Sequence, residues 1–465
     1  MTVRTYAALA SQLFLSAFFA TRLNAQAIPS RCDLELPNRP GTTANIRQDP
    51  TGKRITFLSG GVVGHCTGQG NTLLADSAEY YEADGRLFLI GNVHYTEPRA
   101  DVTSRTMTYY QNDDHLHAEG NVVAVMSNGS VLRGPSADYY RSTPRRPLAR
   151  LFAPGRPTVT LVQKDTTGRG RPPDTAHIVA NQITMDGDSL VYASGKVQIT
   201  RPDLLANGDS AFMDSGRDFA RLMREPMVKG IGTRTFTLTG GVIDVYSRNR
   251  QVERVVATPT GHAVSQDLEL VADSIDLRVA ANKLQRAMAW GKTRAHAVSP
   301  EREIIADSID ALMPDQRVRE VRALRKAYAE SNPDSGVVSK QRDWMSGDSI
   351  IARFDTVATA DTSSRPQVRQ IVALGNARSF YQMKNSKGPQ TEPTVNYVRG
   401  KVIDIAFVDR KVETVTVTEQ ATGVIIEPAT EAATPAKATT PSTTKQPAGT
   451  PVKPPAPAKA PGVKK

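Results

Sequence analysis

Residues 87–95 read LFLIGNVHY, an apolar, strand-like run split at its centre by Gly91-Asn92. Asn and Gly both tolerate positive φ, which suits a tight hairpin, but the favoured hairpin order is Asn-Gly and this pair is reversed. Variants of the stretch recur as LHAEGNVVAVM (116–126), VYASGKVQI (191–199), AMAWGKTRAHA (287–297) and VALGNARSF (372–380). Parity is the informative feature. Leu87, Leu89, Gly91, Val93 and Tyr95 share one face of an extended strand. So do Leu116, Ala118, Gly120, Val122, Ala124 and Met126, and again Val191, Ala193, Gly195, Val197 and Ile199. Period two with one apolar face marks a half-buried strand. The pattern predicts an inward Gly at a mid-strand kink or narrow point, followed by an outward Asn or Lys.

A second unit follows each Gly by 12–16 residues: LLADSAEYY (73–81), LLANGDSAFM (204–213), LVADSIDL (270–277) and IIADSIDAL (304–312), with SGDSIIARF (346–354) and RGPSADYY (133–140) as looser copies. Asp76, Asp209, Asp273 and Asp307 are its fixed acidic positions. Asp76, Asp273 and Asp307 share parity with Leu74, Val271 and Ile305. Each Asp therefore either sits at a bend that switches faces or points inward. Pairing the two units gives a repeat of roughly 30 residues, recurring about ten times between Ile55 and Glu427. Gly60, Gly91, Gly120, Gly195, Gly261, Gly291 and Gly375 mark the rungs, and Gly155, Gly230 and Ala327 mark them more faintly. Segments 141–176, 331–343 and 355–367 read as loops. Residues 315–330 look helix-like by composition, yet Val318, Val321, Leu324 and Tyr328 equally lead into a strand.

Strands that cannot bury an apolar face singly must stack on copies of themselves, so the expected fold is all-β, a repetitive stack of antiparallel strands. The candidate lining of its interior is Leu87, Leu89, Val93, Leu116, Ala118, Val122, Ala124, Val191, Ala193, Val197 and Ile199. Many inward positions are small, including Ala289, Ala295, Ala373 and Ala377, and aromatic residues make up 6% of the chain. A dry core would use more Leu, Ile and Phe, so the pattern hints at a groove. The plain alternative is that the same residues form a filled core.

The first 27 residues read as an export leader: Arg4, an apolar run from Tyr6 to Ala20, and Ala25-Gln26-Ala27 for cleavage. An exported chain makes a Cys32–Cys66 disulfide plausible, tying the N-terminal extension to the first repeat; two free thiols are the alternative. The formal net charge is +11, but the leader holds two arginines and residues 428–465 hold six lysines against one acid, leaving about +4 for the body. That excess does not read as a nucleic-acid surface. The tail, with nine prolines among Ala, Thr and Lys, reads as disordered: a tether, an arm for anionic surfaces, or a solubilising extension.

The pattern carried by Ala75-Asp76-Ser77-Ala78-Glu79-Tyr80-Tyr81, Leu89-Ile90-Gly91-Asn92-Val93 and His117-Ala118-Glu119-Gly120-Asn121-Val122 resembles the OstA-like family of lipopolysaccharide-transport periplasmic proteins, the LptA type. The match is strongest over 56–140, fair over 177–215 and 255–312, and weak beyond 313. The resemblance implies an open β-jellyroll whose inner face shields the acyl chains of lipopolysaccharide, or a similar amphiphile, on the way to the outer membrane. It also implies partners of the same jellyroll type, or the chain itself head-to-tail, with only indirect membrane contact. The chain is longer than one such domain, so an elongated jellyroll or two fused units are expected. The division reads as leader 1–27, extension 28–55, first jellyroll 56–225, second repeat region 226–427 and tail 428–465. The chain departs from the family's outer-membrane component in ending on a Pro/Lys-rich tail rather than on alternating strands.

No residue pattern points to catalysis, a cofactor or a metal. His115 and His117 share a strand face, but no third ligand at a sensible spacing follows. Nucleophile elbows, phosphate loops and zinc-protease motifs do not occur. One Asp per rung is a repeat feature rather than a glycosidase's unique carboxylate pair. The leading expectation is a non-enzymatic periplasmic lipid carrier. Its rivals are an exported structural or adhesive β-solenoid that binds cell-wall polymer and, behind both, a polysaccharide-active enzyme.

Overall fold

The computed structural model describes residues 32–428 apart from 38, 164–173, 232–234, 250, 266–267, 335, 356–366, 385–391 and 409–410. The expected leader and tail lie outside the described residues. Among the described residues thirty strands join into one hydrogen-bonded sheet. The helical segments are two short 3₁₀ turns, Glu82–Asp84 and Pro314–Gln316. The all-β repetitive expectation holds, and every pairing is antiparallel to a sequence neighbour or near neighbour.

The recurring Gly and Asp units form one feature. Strand Arg86–Glu97 pairs with Thr72–Tyr81 through Ser77↔Ile90 and Leu74↔His94, so Gly91 and Asn92 together oppose Asp76. On the other side Ile90↔Thr106 and Val93↔Ser104 set the same doublet against Arg105. This is a β-bulge, two residues against one, and it bends the strand. Both doublet residues take positive φ: 77° and 46° at Gly91-Asn92, 79° and 53° at Gly120-Asn121, 76° and 51° at Gly195-Lys196, 70° and 49° at Gly375-Asn376. A Cβ on Gly91 would run into the Asp76 carboxylate, and one on Gly375 into Asp348, which explains Gly in the first place. The second place goes to Asn or Lys, and Asn is the residue that most readily tolerates left-handed backbone.

Successive bulges line up across the sheet and fold it along a corner. Each strand thus contributes one half to a first half-sheet, such as Leu87 and Leu89, and the other half to a second, such as Val93 and Tyr95. The two kinds of strand pass the corner differently. In Arg86–Glu97 inward parity survives the doublet, with Leu89 and Val93 both buried. In Thr72–Tyr81 parity switches across Asp76, since Ala75 and Ala78 are both buried while Asp76 is exposed. Asp307 does the same between Ala306 and Ile309. The Asp positions are therefore bends that switch faces.

Three expectations need correction. The Gly column does not line the interior: Gly91, Gly120 and Gly195 lie at the corner, against Asp76, Arg105 and Asn181, because a left-handed doublet turns its first residue toward the facing strand rather than inward, and Gly291 lies there against Asp273. Segment 141–176 is not one loop, since it holds the strands Arg150–Pro154 and Thr158–Gln163, halves of a rung broken at Gly155-Arg156. Its residues 164–173 lie outside the described residues. Gly230 marks no corner either; that rung bends at Arg224-Glu225. The ambiguous stretch around 315–330 is strand from Glu320 to Ser331.

Pairing continues without a break across residue 225, through strands Leu204–Asp214, Phe219–Met223 and Met227–Gly230. Between Leu204–Asp214 and Lys283–Val298 four successive rungs are interrupted at the corner, so ten strands close into an antiparallel ring. In this stretch the half-sheets share few backbone bonds and are joined chiefly through the intact strands on either side. The inner faces form one apolar cluster from Cys32 to Ile405. Each buried Leu, Val or Ile in it contributes about 1.5–3 kcal/mol. The outer ends of the stack are bare edges: Thr43–Gln48 is exposed throughout, and Val424, Ile425 and Ile426 of the last strand are 55, 62 and 59% exposed.

Candidate functional site

The structure gathers every candidate lining residue onto the two inner faces. Leu87, Leu89, Leu116, Ala118, Val191 and Ala193 lie on the first half-sheet, and Val93, Val122, Ala124, Val197 and Ile199 on the second. All belong to the single cluster, at 0 to 4% exposure. At these positions the half-sheets are closed on each other. Lys196, the outward control in this register, is exposed. The repeat positions Asp76, Gly91, Gly120, Gly195, Asp209, Asp273, Gly291 and Asp307 form the corner, while Gly261 begins the strand just past it, against Ile275. Corner carboxylates are held locally. Asn92 Nδ2 donates to Asp76 at 2.9 Å, and Thr293 donates to Asp273 from its hydroxyl at 2.6 Å and its amide at 2.9 Å, which lowers the Asp273 pKa.

Opposite the corner the strand ends of the two half-sheets meet along a seam, where the polar chemistry of the interior is concentrated. Near the start of the stack Arg141 on the first half-sheet reaches Glu97 on the second (Nε–Oε2 3.0 Å) and Asp114 (Nη1–Oδ1 3.3 Å), and also bonds Gln69. Tyr95 donates to Glu97 at 2.8 Å, Tyr139 donates to the same carboxylate, and Tyr109 meets Asp114 at 3.4 Å. Burial raises the Asp114 pKa even though Arg141 pulls it down. The Cys32–Cys66 disulfide, with Cα atoms 5.0 Å apart, closes this end, and Gln111 donates to the Cys32 carbonyl at 2.7 Å. Further on, Ser127 Oγ and Asn128 Nδ2 cross the seam to Asp188 at 2.9 and 2.7 Å.

Past this point the seam loosens. A narrow cleft opens between Ile199, Leu204 and Ala206 on one side and Met213, Leu222 and Val245 on the other. Arg201 stands at its lip, bonded to Asp203 at 3.1 Å and facing Asp218, whose pKa burial raises against the pull of Arg201. Later still, Asp343 is buried and accepts two bonds from Gln382, amide at 3.0 Å and Nε2 at 3.1 Å. Burial pushes its pKa up to about 6.

Outside, His115 and His117 share Asp138 at 2.8 and 2.7 Å, and His117 also meets Glu119 at 3.0 Å. Burial lowers the His117 pKa, but these carboxylate bonds outweigh it and leave it raised. Among the described residues no group of three or more His, Cys, Asp or Glu is arranged to hold a metal ion. No helix there is long and apolar enough to cross a membrane.

Arg141, Arg201 and Arg302 were absent from the sequence-derived site, yet each stands in inward register: Ala137-Tyr139-Arg141, Val197-Ile199-Arg201, and Arg302-Ile304-Ala306. A charge at the end of an inward apolar series was the signal that could have found them. No protein-family model and no curated protein matches the chain.

Proposed function

We propose that the chain is a carrier that encloses the acyl chains of lipopolysaccharide, or of a similar amphiphile, between its two half-sheets as it travels through the periplasm toward the outer membrane. The observation that carries this reading is the asymmetry of the enclosure. Outside the four interrupted rungs between Leu204–Asp214 and Lys283–Val298 the half-sheets are hydrogen-bond continuous through the corner, and on the other side they are bridged at the seam by side chains such as Arg141 and Asn128. Between them lies one unbroken apolar face. Parting the seam exposes that face at about 25 cal/mol per Å², and an inserted acyl chain restores the burial while shedding water worth about 0.8 kcal/mol per CH₂ of its own. Such a carrier needs neither catalysis nor cofactor. The OstA-like sequence pattern and the export leader point the same way. The bare strands Thr43–Gln48 and Thr422–Ile426 suit association head-to-tail with another copy or with a similarly folded partner.

A second reading, an exported structural or adhesive β-solenoid with a filled core, draws on the 0 to 4% exposure of the lining residues. Photo-crosslinking separates the two. With a crosslinking side chain at Val122, Val197 or Lys196 and lipopolysaccharide added, the carrier labels acyl chains from the two inward sites. A filled solenoid labels only from Lys196. A Ser127→Cys/Asp188→Cys pair, oxidised across the seam, should suppress inward labelling until reduced, with wild type carried through the same reduction as the control.

A further inference from the structure

Three arginines stand inward at the seam, and their supply of counter-ions falls along the stack. Arg141 has two carboxylates, Glu97 and Asp114. Arg201 has Asp203 and faces Asp218. Arg302 is half-buried, and among the described residues its guanidinium meets no hydrogen-bond or ion-pair partner.

Neighbouring acids do not fill the gap. Glu303 points outward and is held by His296 at 2.6 Å and Arg342 at 3.5 Å. Asp343 lies two strands away on the inner face, where its carboxylate is taken by Gln382. Ser331, the cross-strand neighbour of Arg302, carries no charge. Exposed Glu301 pulls the Arg302 pKa up, but burial outweighs it and lowers that pKa. A guanidinium partly withdrawn from water with no counter-ion of its own is a favourable place for an anion from outside the chain. Arginine's planar fork suits the two oxygens of a phosphate. Beside it the inner face is built from Ala295, Ala297, Ala306, Ala323 and Ala327, all buried and all small.

We propose that Arg302 anchors the phosphate of an anionic amphiphile whose acyl chain lies in the adjoining alanine-lined interior, a proposal that rests on the carrier reading above. The test is calorimetric titration of the full chain with dodecyl phosphate, with dodecyl maltoside (the same chain on a neutral head) and with inorganic phosphate, below the micelle-forming concentrations. Wild type, Arg302→Gln and Arg302→Lys are compared, with thermal melts to verify folding. Wild type should bind dodecyl phosphate at least about tenfold tighter than dodecyl maltoside, as expected of a charge-assisted bond. Arg302→Gln should lose that preference and keep its affinity for the maltoside, while Arg302→Lys keeps part of the preference. Should Arg302→Gln fail to fold, Ser331→Glu supplies an internal counter-ion and is expected to abolish the preference with Arg302 in place.

An unchanged preference in Arg302→Gln overturns the anchor, as does equal binding of both amphiphiles by wild type; either result leaves the carrier reading standing. Inorganic phosphate binding as tightly as dodecyl phosphate would make Arg302 a free-anion site and overturn the amphiphile. Failure of wild type to bind either amphiphile removes the carrier reading, and the anchor falls with it.

Discussion

Around residues 66–141 the half-sheets are tied across their seam by a buried ion cluster and large side chains, whereas around residues 283–331 they meet over a mostly alanine face and an arginine with no side-chain partner among the described residues. The bulkiest fully buried side chains, Tyr95, Tyr109, Tyr139 and Met107, lie in the early rungs, while fully buried Leu and Ile continue later at Leu222, Leu238, Ile243, Ile275 and Ile403. The later inner face is mostly alanine, at Ala287, Ala289, Ala295, Ala297, Ala306, Ala311, Ala323 and Ala327, with Ile309 and Met313 buried among them and Leu284, Ile304 and Val321 packed against them. One repeat unit has thus been used in two ways. Early rungs carry the bulkiest buried side chains and a buried ion cluster, and later rungs carry a mostly alanine face. On the carrier reading the early rungs are the anchor of the fold and the later rungs the part that yields to a guest.

Removing a member of the early cluster gives the largest expected effect. Glu97→Ala leaves Arg141 buried against Asp114 alone and strips two tyrosines of their acceptor, so it should destabilise the fold by about 3–5 kcal/mol in chemical denaturation. Arg302→Gln breaks no bond and should stay within about 0.5 kcal/mol of wild type. Equal losses from the two substitutions would erase the contrast between the regions.

The corner offers a second comparison. Gly91 has a φ of 77° and no room for a Cβ beside Asp76, so Gly91→Ala should lose about 1–3 kcal/mol. The later corner at Arg325-Lys326 holds side-chain-bearing residues at φ values of 63° and 50°. There Arg325→Gly should gain up to about 1 kcal/mol by relieving left-handed strain. Opposite signs in denaturant midpoints are the expected readout.

Smaller and pH-dependent is the effect of Asp343. Its folded pKa, about 6, lies above the ordinary 3.8, so the native state holds a proton that the unfolded chain has lost between those values. Its contribution to stability therefore falls as pH rises through that window, and the penalty persists above it. Asp343→Asn keeps an oxygen for both Gln382 bonds. It should stabilise the protein by about 1–2 kcal/mol at pH 7.5 and leave it unchanged at pH 3.5. A gain of equal size at both pH values would show that desolvation of the charge is not the cause.

Strand identity and inward register were legible in the sequence because a half-buried strand alternates strictly, and Leu87, Leu89, Val93 and Tyr95 kept that alternation through the doublet. The corner was not legible. A three-residue step such as Ala75 to Ala78 reads equally as a bend or as an inward Asp, and only the facing strand, with two residues against one, decides it. The interior was read from early repeats, which carry the bulkiest buried side chains, while the alanine-rich stretch lies later, where the Gly-Asn signature fades into Trp290-Gly291-Lys292 and Arg325-Lys326. The seam escaped notice because strand ends far apart in sequence meet there, as Glu97 and Arg141 do across 44 residues.

The central claim, that the half-sheets part along the later seam to take up an acyl chain, is tested most directly by distances across it. Spin labels at Lys283 and Glu301 straddle the later seam, and labels at Asp113 and Arg99 straddle the early one. The native cysteines, bonded to each other, leave introduced cysteines free for labelling. On addition of lipopolysaccharide the later pair should move apart by roughly the width of an acyl chain while the early pair stays fixed. Bound amphiphile with both distances unchanged would contradict the account.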